Sequence, residues 1–387
     1  MATIKYRELR KRYDMDGAEK TVQHLSEALA DGQLKADDFS IRDLAEGLIP
    51  GGSRWIRELD PRGSGGAPIL EAEGVDLTAF LNISGQVIYS KILEAYHQEA
   101  FGVSRMIQTI PTRLDGEKLP GAAMLGDGTT EVAPGMPYPN LGFGEDYIET
   151  PNTSKHGLIV PITKEAIFFD RTHLILSRAA EVGEVLAMNK EKRILDMVLG
   201  VTKIYKWNGT LYNTCYAVDE PWKNQLESNP LSDITSVENA ENLLAAMLDP
   251  NTGEPVLVEP NGVIVMPSKR FLAHRLFHSS EVTYEDGNGL RMAACSNPFS
   301  SYNVVSSRLA LRRLVESGMN ESAAQNVWLL GNFRKAFAYM ENWPITVTQS
   351  AAGSDADFNQ DIVVRFKASE RGTPAVLNPR YVVKCSP

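Results

Sequence analysis

The chain has 387 residues, 43% hydrophobic and 23% charged, enough for more than one core and unlike a disordered or fibrous polypeptide. Its formal charge of -10 argues against a sequence-specific nucleic-acid binder, which needs a basic patch or stripe to neutralise phosphates. That balance does not exclude a protein that encloses nucleic acid without sticking to it.

The first twenty residues, "MATIKYRELRKRYDMDGAEK", are charged throughout and lack the apolar core of a secretory signal. No run of about 18 apolar residues occurs, so no transmembrane helix is expected. Cys215, Cys295 and Cys385 are odd in number and far apart, which suits reduced thiols in a cytosolic product; triplets such as "NGT" at Asn208 then carry no glycosylation meaning.

In chain order, residues 1 to about 50 read as polar helices, with Ser40 capping "IRDLAEGL" and "PGG" stopping it. "GGSRWIRELDPRGSGGAP" reads as a glycine-bounded connector. "DLTAFLNISGQVIYSKILEAYHQEA" places Leu77, Phe80, Leu81, Val87, Ile88, Ile92 and Leu93 near helical spacing, so one apolar face is expected. A glycine- and proline-rich stretch follows, including "LPGAAMLGDGTTEVAPGMPYPNLGFGEDYIETPN", where apolar residues keep neither helical nor strand period. A loop that long is normally functional.

"HGLIVPITKEA" reads as a short strand followed by Thr163 as an N-cap. The following segment places Ile175, Ala179, Val182 and Leu186 on one helical face, with Asp170 as a cap and Gly200 as the end. Some thirty helical residues would span roughly 45 Å. The remainder alternates short elements: a helix in "SVENAENLLAAMLDPNTG", strand then helix in "GVIVMPSKRFLAHRLFHSSE", and strands around a turn in "VWLLGNFRKAFAYMENWPITVTQS". In the closing segment, Ile362, Val364, Phe366 and Ala368 share one strand face. A turn is expected at Glu370 to Gly372, then two short strands separated by Asn378 and Pro379.

Convergent polar groups are sparse. His274 and His278 stand one helical turn apart, as in a zinc site, without the glutamate of H-E-x-x-H or further ligands at suitable spacing. Asp355, Asp357 and Asp361 have calcium-like spacing, but Gln360 and Phe366 occupy the positions that need glycine and glutamate. No phosphate-binding loop, nucleophile elbow or dinucleotide fingerprint appears in its required setting. The cysteines lack convincing basic partners, Lys384 being a chain neighbour of Cys385 only, and Phe168, Phe169, Trp328 and Trp343 read as core. The expectation is no catalytic residue, no metal and no cofactor.

The order of parts is distinctive: an extended arm, a long loop, "HGLIVPITKEAI" entering a long helix, a mixed domain with "GVIVMPSKRFLAHRLF", then "NVWLLGNFRKAFAYMENWPITV" and "VVRFKASERGTPAVLNPRYVVK". From about Asp76 to Lys384 this order resembles the tailed-bacteriophage major capsid protein family, whose fold is shared with encapsulins and the herpesvirus capsid floor. The resemblance implies an α+β chain: a polar helical N-terminal extension at 1–75, an N-terminal arm at 76–110 and an extended hairpin loop at 111–160. A peripheral domain with a spine helix follows at 161–205, an axial α/β domain at 206–345, and return strands of the peripheral domain at 346–387.

In some members the N-terminal segment is a built-in scaffold removed on maturation, in others an arm. The function implied is a structural subunit that self-assembles through hexamers and pentamers into an icosahedral head enclosing double-stranded DNA, made in the host cytoplasm and found in the virion. Portal, scaffold, and protease or decoration proteins are the implied partners, with no membrane. Val132, Met136, Tyr138, Leu141, Phe143 and Tyr147 are the candidate intersubunit anchors. Some members crosslink a loop lysine to a neighbour's asparagine, but no motif beside Lys118 or Lys155 supports that chemistry. Alternative readings are an encapsulin-type shell and, from another class, a metal-dependent α/β enzyme using His274 and His278.

Overall fold

The computed structural model describes residues 6–58, 78–97, 101–120, 132, 134, 136, 147–202, 205–219, 222–249, 253–282, 295–350 and 361–387. Among them the helices are, in chain order, α1 (Tyr6–Asp16), α2 (Ala18–Ala30), α3 (Ile41–Leu48), α4 (Gly52–Glu58), α5 (Thr78–Tyr96), α6 (Lys164–Phe168), α7 (Thr172–Val198), α8 (Ile234–Ala245), α9 (Arg270–His278), α10 (Arg308–Glu316), α11 (Glu321–Ala324) and α12 (Phe333–Ala336). The strands are β1 (Gln108–Pro111), β2 (Lys118–Pro120), β3 (Tyr147–Glu149), β4 (Ser154–Thr163), β5 (Tyr205–Trp207), β6 (Thr210–Tyr212), β7 (Gln225–Leu226), β8 (Gly262–Val265), β9 (Glu281–Val282), β10 (Cys295–Ser296), β11 (Asn303–Ser306), β12 (Trp328–Gly331), β13 (Phe337–Gln349), β14 (Ile362–Val376) and β15 (Val382–Cys385). This is an α+β chain in two compact units.

The first unit comprises Met1–Glu99, Lys155–Met188 and Trp343–Arg371. Ser40 starts α3 as expected, its Oγ accepting from the Asp43 amide at 3.1 Å, and Thr163 starts α6 by accepting from Ala166 at 3.3 Å. Each such cap satisfies one of the amides that a helix start leaves without an intrahelical partner. The N-terminal helices are less polar than they read. Phe39, Ile41, Leu44, Leu48, Trp55 and Ile56 join one buried cluster with Phe80, Ile83, Ile88, Ile162, Ile175 and Phe366. Polar links reinforce it: the Ile41 amide donates to Thr172 Oγ1 at 2.8 Å, and Arg42 donates to the Phe168 carbonyl at 2.9 Å. Burying each large side chain is worth about 1.5–3 kcal/mol. The first part of the segment expected to be a connector forms α4, because Trp55 and Ile56 fill that core and Gly52 lets the backbone lie against the Ala45 carbonyl, while 59–68 lie outside the described residues.

Helix α7 runs for 27 residues, about 40 Å, and is separate from α6. Asp170, expected as its cap, instead sits before it with φ 48, and its Oδ1 accepts from the hydroxyls of Ser40 (3.0 Å) and Thr172 (2.8 Å). The end at Gly200 is as expected: φ is +71, the Val201 amide reaches the Asp196 carbonyl at 2.8 Å and the Gly200 amide reaches Met197 at 3.1 Å. That pair of bonds is a Schellman motif, which needs the left-handed residue.

The second unit comprises Ala100–Ser154, Asn189–Asn342 and Gly372–Pro387. Its five-stranded sheet has the order β11-β8-β12-β15-β7, with β11 parallel and β12 antiparallel to β8. Ile264, Leu329 and Val382 enter one apolar cluster, whereas Val263, Val265, Trp328, Leu330 and Val383 enter another. Alternation sends neighbours to opposite faces, so this sheet is buried on both sides, which explains the continuous apolar runs. A four-stranded sheet, β2-β3-β5-β6, lies in the same unit.

The turn expected at Glu370 to Gly372 is absent, since β14 runs unbroken from Ile362 to Val376. Each polar group there has a partner that makes extension favourable. Glu370, buried, accepts from Tyr96 Oη at 2.6 Å, and Arg371 lies 5.5 Å from the Trp343 ring centre. The Gly372 carbonyl accepts from Arg193 Nη1 at 3.0 Å. The first of the two short strands expected beyond it is thus the end of β14, and Asn378 caps a single 3-10 turn, Pro379–Tyr381, before β15.

Candidate assembly surfaces

The long loop has a built base. β2 and β3 pair antiparallel in the register Lys118↔Glu149, Leu119↔Ile148 and Pro120↔Tyr147, so the chain leaves and returns at one place. β3 is held in turn by β5, and Glu149 sits between Lys118 (3.7 Å) and Lys206 (3.4 Å). Thr150 Oγ1 accepts from the Glu117 amide at 2.8 Å, and Asp115 Oδ1 accepts from the Thr153 amide at 2.7 Å. On β5 and β6 of the same sheet, Tyr205, Trp207 and Tyr212 each pack edge to face with Trp222, the Trp207 and Trp222 ring centres lying 5.0 Å apart. Such aromatic contacts add about 0.5–1.5 kcal/mol beyond burial and make a stiff root.

Of the six candidate anchors, Tyr147 belongs to this root: its ring lies 4.3 Å below Lys118 Nζ and its amide donates to Asn208 Oδ1 at 2.8 Å. Val132 is half-buried and Met136 is 65% exposed. Tyr138, Leu141 and Phe143 lie outside the described residues.

His274 and His278 are neighbours on α9, ring centres 4.6 Å apart. Among the described residues no three His, Cys, Asp or Glu side chains gather as metal ligands, and Asp355 and Asp357 lie outside those residues. Trp328 is buried, its Nε1 donating to the Asn229 carbonyl at 2.8 Å, and lies in the second unit; Trp343 belongs to the first, with Lys155 Nζ 5.7 Å from its ring centre. Phe169, read as core, is 60% exposed. The left-handed Asp170 ends α6 there. Lys384 does more than flank Cys385: its ammonium donates to the Leu199 carbonyl at the end of α7, 2.8 Å away, and lies 5.3 Å from the Tyr216 ring centre. Burial holds that ammonium below its usual range and pushes the Cys215 thiol up to about 12.

The chain matches the family model described as phage capsid protein over residues 147–385. It belongs to the phage capsid protein family. This capsid protein is therefore a structural subunit that assembles with copies of itself into the shell of a virion. Solved structures similar to it include a virus-like particle from Pyrococcus furiosus at 12% identity, covering 77% of this chain and 97% of that one, with a TM-score of 0.43. The capsid of a native GTA particle is 12% identical, covering 75% and 90%, with a TM-score of 0.46. Mycobacterium phage Bobi gives 14% identity, 74% and 89% coverage, and a TM-score of 0.41. The curated proteins contain no match. Among the described residues no helix of this capsid protein is long and apolar enough to cross a membrane.

Proposed function

We propose that this capsid protein builds an icosahedral phage head from hexamers and pentamers, and that residues 121–146 are the arm by which one subunit holds the next. The observation that carries the reading is the paired base, β2 with β3, from which that segment departs and to which it returns. Glycines and prolines disfavour a competing compact structure. Ordering such a segment costs about 1–2 kcal/mol per residue in backbone freedom, a cost met on assembly if its apolar groups bury against another copy. Val132, Met136, Tyr138, Leu141 and Phe143 are the anchors in this proposal, with Tyr147 fixing the root.

The unit containing α5 and residues 343–371 is proposed as the peripheral domain and the unit with the five-stranded sheet as the axial domain. The two-unit division supports that assignment. Individually weak contacts become effectively permanent when repeated through a closed shell, so no catalytic centre is required of the subunit. A portal, a scaffold and a protease or decoration protein complete the proposed head, and double-stranded DNA is enclosed without sequence-specific contact. Replacing residues 121–143 by a short Gly-Ser turn tests the arm. The expected variant is a folded, soluble subunit with unchanged circular dichroism that forms no closed shells; loss of the folded subunit would place the segment in an internal core instead.

A further inference from the structure

In the second unit a cavity of about 10 Å³ lies where β3 and β5 meet the turn Pro379–Tyr381, lined among others by Ile148, Tyr205, Trp207, Trp222, Asn378 and Arg380. Arg380 is only 4% exposed, and its charge is balanced by Asp249, which has no exposed surface and whose Oδ1 lies 3.8 Å from Nη1. The Nε–H of the same guanidinium is shut off from solvent and, among the described residues, donates to no protein acceptor. Buried donors in native proteins almost always have a partner, either a protein group or an ordered water. An arginine cannot escape that requirement by giving up its proton.

The walls of this cavity are fixed, so it does not close on itself. Trp222 packs edge to face with both Tyr205 and Trp207. Asn224 Nδ2 donates to the Pro379 carbonyl at 2.8 Å and to the Cys215 carbonyl at 3.0 Å, and Asn378 Oδ1 accepts from the Arg380 amide at 3.1 Å, which pins the turn on two sides. The volume suits a single water molecule. A chloride ion is larger, and it would add a negative charge to a buried pair that is already neutral.

We propose that one ordered water occupies this cavity, accepting from Arg380 Nε and donating to the Tyr205 hydroxyl oxygen. Tyr205 is buried and lines the same space, so it supplies the second polar group that a bridging water needs. A water held in this way is nearly as good as a direct hydrogen bond and is costly to remove. The bridge joins the turn before β15 to β5, the strand that holds β3 at the root of segment 121–146. Turn and root therefore open together rather than separately.

The test is the structure of the full chain at a resolution that shows ordered water, for the wild type and for Tyr205→Phe, which keeps the ring and removes only the hydroxyl. The wild type is expected to show one peak about 2.7–3.2 Å from both Arg380 Nε and Tyr205 Oη, and the variant to lose it. Hydrogen exchange gives a second reading in solution. Tyr205→Phe is expected to speed amide exchange in peptides from β5 and from the turn and β15 alike, because the bridge couples them. A dry cavity in the wild type, a protein acceptor on Arg380 Nε, or an unchanged peak in Tyr205→Phe would overturn the bridge. So would exchange that is unchanged or faster in β5 alone. A peak that gains an anomalous signal when bromide replaces chloride in the buffer would mark an anion and overturn the water.

Discussion

Gly183, in the middle of α7, lies directly against the backbone of Ile92 on α5: a Cβ at Gly183 would stand 2.3 Å from the Ile92 carbonyl oxygen and 3.0 Å from Ala95 Cβ. The two helices of the first unit approach as closely as they do because that position has no side chain. Glycine inside a helix ordinarily costs about 1 kcal/mol relative to alanine. Here close packing reverses the preference.

Gly183→Ala is accordingly expected to destabilise, since overpacking a tight contact costs roughly 1–3 kcal/mol and outweighs the gain in helix propensity. Thermal unfolding of the unassembled subunit should show a lower midpoint for the alanine variant. An unchanged or higher midpoint would mean that the helices can part without cost.

The N-terminal helices should be indispensable to the subunit. Leu44 has no exposed surface and Ile41 and Phe39 almost none, all in the core shared with α5 and α7. Leu44→Ala is expected to cost about 2–5 kcal/mol. Deleting residues 1–58 should leave an aggregating chain, and mass spectrometry of digested subunits from finished particles should still find the peptides that span Phe39 to Ile56. A particle subunit beginning after Glu58 would contradict this.

Legibility followed locality. The caps at Ser40 and Thr163 and the end at Gly200 could be read because one or two residues decide each of them. The misread elements were decided at a distance. "SERGT" has turn composition, yet Glu370 meets Tyr96, 274 positions away, and the Gly372 carbonyl meets Arg193, so the strand continues. "GGSRWIRE" has the glycines of a connector, yet Gly52 serves close backbone approach to the Ala45 carbonyl. The loop's unusual composition was visible, but the pairing of its two roots was not. The exposure of Phe169 is not legible in the sequence: it reads as core in an apolar run, and only the left-handed Asp170 after it marks the break.

Glu191 provides a pH test. This buried carboxylate accepts from the amides of Val103 and Ser104, both at 3.0 Å, yet burial, the larger effect, raises its pKa above the ordinary glutamate value. A raised folded-state value means that its contribution is full below the unfolded pKa and is lost as pH rises through the folded one. Urea unfolding of the subunit and of Glu191→Gln, compared at about pH 4 and about pH 7, should show the wild type losing ground to the variant as pH rises. A pH-independent difference would refute the assignment.

Two of the three thiols, those of Cys215 and Cys385, should be silent in the native subunit. Cys215 and Cys385 are buried, and burial pushes both up to about 12, far from the thiolate range that reacts. Peptide mapping after brief maleimide treatment is expected to find neither modified until denaturant is added. Labelling of either one in the folded chain would show that the sheet around β15 opens.

The most direct measurement is cryo-electron microscopy of particles purified from cells expressing the full chain. The account predicts closed icosahedral shells in which segment 121–146 of each subunit leaves its own paired base and lies on a neighbour. A chain that stays a folded monomer at high concentration, or a shell in which that segment folds back onto its own subunit, would contradict it.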